Sequence, residues 1–122
     1  MPPHQLHDLV AFQLARQFKR EVYRLLTEHP GDRDYRYAGQ LRGSASSVEA
    51  NIAEGFYRVS PREFARFLLI ARGSLGEAEV RIADGIDRGY FTDADCAAAY
   101  LLMKRTGAAI MALRKSVFAR LP

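Results

Sequence analysis

The sequence has little cysteine and no long apolar run, and each shortage excludes a class of protein. Its single cysteine, Cys96, rules out an intrachain disulfide, so the chain is not a disulfide-stapled secreted domain and we expect a reducing cytoplasm. No apolar run approaches the roughly 20 residues that cross a bilayer. Residues 1–8 lack the basic stretch and apolar core of a signal peptide. We therefore expect a soluble, cytoplasmic protein that does not enter a membrane.

The sequence also lacks the motifs of common enzyme and metal sites. It has no Walker-type loop, dinucleotide-binding glycine motif or His-Glu-x-x-His motif. Its three histidines, His4, His7 and His29, have no cysteine or acidic cluster that would complete a metal site. Cys96 lies near a predicted helix start, which would lower its pKa, but without a neighbouring histidine we interpret it as a core cysteine. We predict no cofactor, no metal and no catalytic residue.

One enzymatic alternative stays open. Arg24 and His29 are separated by four residues, a spacing that resembles the Arg-x4-6-His motif of HEPN ribonucleases, which are also helical bundles. In that family the residue after the arginine is usually polar, whereas here it is Leu25, and Pro30 follows the histidine directly. RNA cleavage that is lost in a His29→Ala variant would support this alternative.

Four segments have apolar residues three and four positions apart, the spacing of amphipathic helices. We predict helices over about 6–28, about 34–56, from 61 to between 85 and 89, and from about 95 to 120. The stripes are Ala11, Ala15, Phe18, Val22 and Leu25; Ala38, Leu41, Ala45, Val48 and Ile52; Phe64, Phe67, Leu68, Ala71, Leu75, Ala78 and Ile82; and Leu102, Ile110, Leu113 and Val117. Because the connections are short, we expect an all-α, antiparallel up-down-up-down four-helix bundle. It would form one domain over 1–122, with 1–5 loose.

Local signals mark the helix ends. Ser60-Pro61-Arg62-Glu63 predicts a capping box, in which the serine accepts from a backbone N–H near Glu63 and the glutamate reaches back. Thr92 and Asp95 predict a second capped start. Three glycines are interpreted as helix ends: Gly55, Gly85 and Gly89.

A polar stripe runs beside the apolar stripe of the second helix, and its side chains are too small and neutral for an ordinary solvated face. It is interpreted as a polar seam between helices, a subunit interface or a ligand site. The stripe is Gln40, Ser44, Ser47, Asn51 and Glu54. On the third helix, Gly73, Ser74 and Gly76 predict close approach of a neighbouring helix or subunit, because glycine costs about 1 kcal/mol inside a helix. Arg72 and Glu77 flank this patch, and we expect them to pair with polar groups of the second helix.

Basic residues form two clusters in a chain whose net charge is +4 and whose pI is about 9.5. One cluster lies on the first helix: Arg16, Lys19, Arg20 and Arg24. The other lies on the fourth helix and its end, where no acid follows Asp95: Lys104, Arg105, Arg114, Lys115 and Arg120. Such clusters are either solvated faces or sites that bind phosphate and release counterions. Tyr57 and Tyr100 could stack on bases of a single strand or pack in the fold.

The central part of the chain resembles a known family. The matching residues are Gln40-Leu41-Arg42, Ser47-Val48-Glu49-Ala50-Asn51-Ile52-Ala53-Glu54-Gly55, Arg58, Ser60, Glu63-Phe64, Phe67-Leu68-Leu69-Ile70-Ala71, Gly73-Ser74-Leu75 and Glu77. This pattern is similar to that of the four-helix bundle family of 23S rRNA intervening-sequence proteins. That family also includes the accessory variability proteins of diversity-generating retroelements.

The resemblance implies a compact bundle that assembles as a homopentamer, without catalytic residues. It also implies binding of RNA or DNA and of a reverse transcriptase, as in the accessory members. Asn51, Glu54, Ser74 and Glu77 would then build the bundle or the ring. We thus expect a non-enzymatic oligomeric scaffold that binds nucleic acid through the basic faces of the first and fourth helices. The rival hypothesis is a protein-binding adaptor without affinity for nucleic acid.

Overall fold

A computed structural model describes residues 5–121, and in this part of the chain all regular structure is helical. The four long helices are α1 (Val10–Thr27), α2 (Tyr35–Phe56), α3 (Pro61–Asp87) and α4 (Ala97–Phe118). Two short 3-10 segments, Leu6–Asp8 and Pro30–Arg33, precede α1 and α2. The predicted all-α class is confirmed. Of the stretch expected to be loose, 1–4 lie outside the described residues, and the backbone N–H of Gln5 donates to Asp8.

Contacts between the helices show that α2 packs against α3, and α3 against α4, with their ends reversed. The hydroxyl of Tyr37, near the start of α2, donates to the carbonyl of Arg81, near the end of α3 (2.5 Å). At the other end of the pair, Gly55 packs on Phe64 at the start of α3. Late in α4, Arg114 Nε donates to the carbonyl of Ala65, early in α3 (3.3 Å). These pairings fit the antiparallel arrangement that the short connections predict.

The apolar stripes meet in one hydrophobic core. Every residue of the stripes predicted on α1 and α2 is buried, as are six of the seven on α3 and two of the four on α4. Phe67, Leu102 and Leu113 are half-buried at the edge of the core. Spacing alone therefore identified the inward face of each helix, because residues three and four apart return to the same side.

The two predicted caps form in different ways. Ser60 caps α3 by accepting from the N–H of Glu63 (3.4 Å), but the Glu63 carboxylate accepts from Arg66 Nε (2.8 Å) instead of reaching back. Thr92 and Asp95 do exchange both bonds, at 2.9 and 3.1 Å. That box closes a turn ahead of α4, whose N-terminal cap residue is Cys96. The prediction of a capping box at Ser60 is thus half right, because an arginine one turn later competes for the glutamate.

α2 ends at Phe56 and α3 at Asp87, where the three glycines predict helix ends, but two of these glycines also pack closely against neighbouring side chains. Gly55 lies within α2, and a Cβ there would be 2.7 Å from Phe67 Cβ. Gly85 lies within α3 against Tyr37 and Phe91. Only Gly89, which follows α3 with φ +80°, has the left-handed conformation of a helix terminator.

Candidate nucleic-acid interface

The polar stripe of α2 divides into two parts. Its first part is a seam with α3: Arg81 donates to Ser44 Oγ (3.1 Å) and to Gln40 Oε1 (3.0 Å), and Ser44 Oγ donates to Glu77 Oε2 (3.3 Å). Ser44 is 5% exposed, and these bonds satisfy its hydroxyl inside the chain. Within the chain this part of the stripe forms hydrogen bonds between α2 and α3, and Glu77 of α3 bonds to Ser44 of α2.

The second part of the stripe has no such partners. Asn51 donates to the carbonyl of Ser47 one turn earlier (2.8 Å), and Glu54 accepts from Arg58 (2.6 Å). Ser74 is half-buried on α3. Among residues 5–121 none of these side chains forms a hydrogen bond to another helix, so a subunit interface is still a prediction for them.

Within this chain the two glycines among the small residues of α3 have open space beside them. A Cβ added at Gly73 or Gly76 would meet nothing within 4 Å. The expected close approach of a neighbouring helix is wrong at both positions, which leaves the subunit alternative untested. Arg72 is also not paired with α2. It lies towards α4, where its Nε would be 3.6 Å from a Cβ at Gly107.

Most of the basic cluster on α1 is neutralised by neighbouring acids. Glu49 of α2 accepts from Lys19 and lies 3.6 Å from Arg16. Arg24 pairs with Glu21 at 2.5 Å and with Glu28, and these carboxylates raise its guanidinium pKa. Among residues 5–121, Arg20 is the one member of the cluster without an acid within 4 Å. The cluster was predicted from its own helix, whereas the acid that neutralises two of its members comes from α2.

The basic cluster on α4 keeps its charge. Lys104, Arg105, Lys115 and Arg120 are exposed, and within the described part of the chain none of them has an acid within 4 Å. Arg114 is half-buried, bonded to the Ala65 carbonyl and stacked 4.3 Å above the Phe118 ring. Four of the five predicted residues on α4 and its end are therefore free to meet an acidic partner.

Folding places the whole net charge in one half of the bundle. We call the half that contains the α2–α3 turn the basic half; it comprises 5–18, 46–74 and 108–121. It has eight arginines and lysines but only four carboxylates. The other, neutral half (19–45 and 75–107) has ten of each. The basic half thus carries a net charge of about +4, which is the net charge of the chain.

Three arginines of α3 belong to this surface and were not predicted from the sequence. Arg62 and Arg72 are exposed, with no acid within 4 Å among residues 5–121, and Arg66 pairs with Glu63 (2.8 Å). The antiparallel packing of α3 on α4 is the signal that could have found them. This packing places the start of α3 beside the end of α4, so the arginines of α3 and the basic residues of α4 form one positively charged surface.

Aromatic side chains lie next to the arginines at the α2–α3 turn. The guanidinium carbons of Arg58 and Arg66 lie 5.0 and 4.7 Å from the centre of the Phe67 ring. Tyr57 is 72% exposed beside them. Tyr100 is half-buried on α4, and burial raises the pKa of its hydroxyl. Of the two tyrosines predicted to stack on nucleic-acid bases, Tyr57 is exposed to solvent and Tyr100 lines a cleft.

That cleft lies between α3 and α4 and has a volume of about 510 Å³. Its polar side chains are Arg72, Glu79, Tyr100 and Lys104. The floor and walls are apolar or small: Leu75, Gly76, Met103, Gly107, Ala108 and Met111. The cleft therefore offers charge of both signs over an apolar floor.

The side chains of the enzymatic alternative are engaged elsewhere. His29 Nδ1 lies 3.7 Å from Asp95 Oδ2, and the ring packs edge-on against Phe91 at 5.9 Å. Arg24 is held by its two glutamates. Cys96 is buried in the core, and burial raises the pKa of its thiol to about 11, so the predicted lowering is wrong. Its interpretation as a core cysteine is confirmed.

No metal or membrane feature stands out in the part of the chain that the structure describes. Residues 5–121 contain no group of three histidine, cysteine, aspartate or glutamate side chains that could hold a metal ion. His4 lies outside the described residues. None of the four described long helices is apolar enough over a sufficient length to span a bilayer.

The comparison with protein families decides the relationship of the chain. The model of the 23S rRNA-intervening sequence protein family matches residues 7–112. The chain belongs to this family. The match covers most of the sequence and all four helices except the last turns of α4. It confirms the resemblance carried by the α2–α3 residues, and the family's name describes no reaction. No curated protein sequence matches the chain.

Proposed function

We propose that this protein is a non-enzymatic, oligomeric scaffold that binds RNA through its basic half. The contact surface is the exposed face of α4 with the start of α3, and phosphate is the group that it binds. The observation that carries the proposal is the absence, among residues 5–121, of any acid within 4 Å of the exposed basic side chains Lys115 and Arg120.

The physical reason is the release of counterions. A base that touches phosphate gains affinity because cations condensed on the nucleic acid return to bulk solvent. A basic side chain that is already paired with a carboxylate must break that pair first, so its contact with phosphate adds less affinity. The α4 bases pay no such cost, whereas Arg16, Lys19 and Arg24 of α1 do. We therefore assign α4 the larger part of the binding and α1 a minor part through Arg20.

The test compares two double variants that remove the same charge. Lys115→Gln and Arg120→Gln act on α4 and its end in the basic half, and the control Arg33→Gln and Arg36→Gln removes two exposed basic side chains of the neutral half. Each lowers the net charge from +4 to about +2. Binding of a structured RNA is measured across a salt series.

We expect the α4 variant to bind more weakly and to lose about one unit of salt slope per phosphate contact removed. The control should retain its slope. Equal losses in both variants would show that net charge alone drives binding and would refute the assigned surface. If the wild type binds neither RNA nor duplex DNA at low salt, the proposal fails.

The oligomeric part of the proposal rests on surface that the chain leaves uncovered. Ser47, Asn51 and Ser74 make no hydrogen bond to another helix within 5–121, and Leu69 and Val80 of α3 are 45% and 68% exposed. Such residues suit contacts between subunits or with a partner enzyme such as a reverse transcriptase. Light scattering that gave only a monomer mass at working concentrations would refute the assembly.

The same exposed apolar residues favour a second candidate function, a protein-binding adaptor. In that case the oligomer forms, but the salt series shows no RNA binding. The α4 bases would then be a solvated face or part of a protein contact.

A further inference from the structure

The cleft between α3 and α4 has chemistry that phosphate binding alone does not need. Its volume of about 510 Å³ is in the range of pockets that hold small organic ligands. Phosphate contacts require only bases on an open surface, yet this cleft adds a tyrosine, two methionines and a carboxylate. A ligand that uses all of these groups has an anionic end and a flat, hydrogen-bonding body.

The cations and the carboxylate of the cleft are free to meet a ligand. Arg72 and Lys104 are exposed, and among residues 5–121 no acid lies within 4 Å of either. Glu79 likewise has no base within that distance in the described part of the chain. Gly107 lets the Arg72 guanidinium lie close across α4, because a Cβ there would be 3.6 Å from Arg72 Nε.

We propose that this cleft holds one unpaired nucleotide of the bound RNA. Its base would stack on Tyr100 and the methionine side chains, and its phosphate would contact Arg72 and Lys104. Glu79 would accept from an exocyclic amino group, as carboxylates accept from cytosine N4. This inference rests on the proposed function, and it adds a preference for RNA with unpaired nucleotides over a perfect duplex.

The cleft is continuous with the phosphate-binding face. Lys104 lines the cleft and lies eleven residues before Lys115, which returns to nearly the same side of α4 about 16 Å away. One strand could therefore lie along the α4 bases and place a nucleotide in the cleft. Aromatic stacking tolerates every base, so the expected selectivity is for unpaired nucleotides first and for base identity second.

The test fills the cleft without changing charge. Gly76 lines the cleft, and a Cβ there meets nothing within 4 Å, so Gly76→Leu enters open space and improves helix propensity. The control is Gly39→Leu on α2, an exposed helical glycine where an added Cβ likewise meets nothing within 4 Å but which lies away from the cleft. Both variants are compared with the wild type by light scattering, so that any change in assembly is seen.

Two RNAs differ only in one bulged adenosine within a duplex stem. We expect the wild type and Gly39→Leu to prefer the bulged RNA by about tenfold, from the stacking of one base. Gly76→Leu should lose this preference and still bind the perfect duplex as the wild type does. The Glu79→Gln substitution should lower the affinity for RNA with a bulged adenosine or cytidine more than the affinity for RNA with a bulged uridine.

A second readout places the ligand. Met103 and Met111 both line the cleft, so methyl-labelled methionine reports its occupancy by NMR. The bulged RNA should shift these two methyl signals more than the duplex does, and AMP alone should shift them at high concentration.

Each other outcome points to one failure. Equal binding of the two RNAs by the wild type, or a bulge preference that survives in Gly76→Leu, would overturn the cleft assignment and leave phosphate binding by α4 intact. Methyl shifts with AMP but not with the bulged RNA would mean a free nucleotide site and would also overturn it. No binding of either RNA would refute both the proposed function and this inference.

Discussion

Replacing Gly85 by alanine tests a position where an added Cβ has no room. Gly85 lies in α3 where Tyr37 of α2 and Phe91 of the α3–α4 connection meet. A Cβ at this position would overlap the Tyr37 hydroxyl and lie 2.6 Å from Phe91 Cε2, closer than real Cβ contacts allow. The Tyr37 hydroxyl is fixed by its bond to the Arg81 carbonyl (2.5 Å), so it cannot move without losing that bond.

The expected cost follows from three terms. Overpacking a core typically costs about 1–3 kcal/mol, and three aromatic atoms in contact put this site near the upper end. Loss of the tyrosine hydrogen bond adds about 1 kcal/mol. Alanine returns about 1 kcal/mol through helix propensity. We therefore expect Gly85→Ala to lower the free energy of unfolding by about 2–3 kcal/mol.

The matched control is Gly43→Ala on α2, where an added Cβ meets nothing within 4 Å. It should gain about 1 kcal/mol from propensity alone. Both are measured by urea unfolding followed by circular dichroism, at one protein concentration because assembly shifts apparent stability. Adding Tyr37→Phe to Gly85→Ala should recover part of the loss, since it removes one of the overlapping atoms. Equal stabilities of the two alanine variants would refute the packing argument.

Three other predictions follow from single groups. Cys96 is buried with a thiol pKa of about 11, so near neutral pH it should react with alkylating reagents far more slowly in the folded protein than in urea. Asp34 accepts from the Tyr90 hydroxyl at 2.5 Å and from the Tyr37 N–H, which lowers its pKa below the ordinary 3.8. A lowered folded-state pKa stabilises the fold above the unfolded pKa, so the advantage of wild type over Asp34→Asn should be full above about pH 4 and vanish as pH falls through the folded pKa. Glu49→Gln releases Arg16 and Lys19, so RNA affinity and salt slope should rise if α1 reaches the RNA, whereas unchanged binding would place α1 outside the interface.

The helices and their inward faces could be predicted because both depend on neighbours in sequence. Spacing of three and four residues puts Phe18, Val22 and Leu25 on one side of α1, and all three are fully buried. Short connections then limit how consecutive helices can pack. The caps at Ser60 and Thr92 were found for the same reason, since their partners lie three residues away.

The residue roles that the sequence did not predict depend on contacts between residues far apart in the chain. Gly55 and Gly85 have the sequence signature of helix ends, and only the side chains of α3 and of the α3–α4 connection show that they are packing positions. The same holds for the bases of α1, two of which meet Glu49 thirty or more residues later. Arg72 was expected towards α2 and lies towards α4, because a residue's side of the helix was inferred without the position of the neighbouring helix.

The electrostatic surface follows from how acids are spaced along each helix. In α1, α2 and α3 an acid often lies three or four residues from a base, and pairs such as Arg24 with Glu21 and Arg66 with Glu63 form within one helix. α4 contains no acid, so its bases could be neutralised only by a neighbouring helix. The adjoining start of α3 supplies Arg62, Arg66 and Arg72, and its one carboxylate, Glu63, is already paired with Arg66.

The distance over which salt screens these charges determines how they can contribute to binding. At physiological salt the field of an exposed charge is screened within about 8 Å, while Lys104 and Lys115 are about 16 Å apart along α4. The net charge therefore attracts a distant partner only weakly. Affinity has to come from direct contact with each basic side chain. That is why removal of Lys115 and Arg120 should act far more strongly than removal of Arg33 and Arg36, two exposed basic residues in the neutral half.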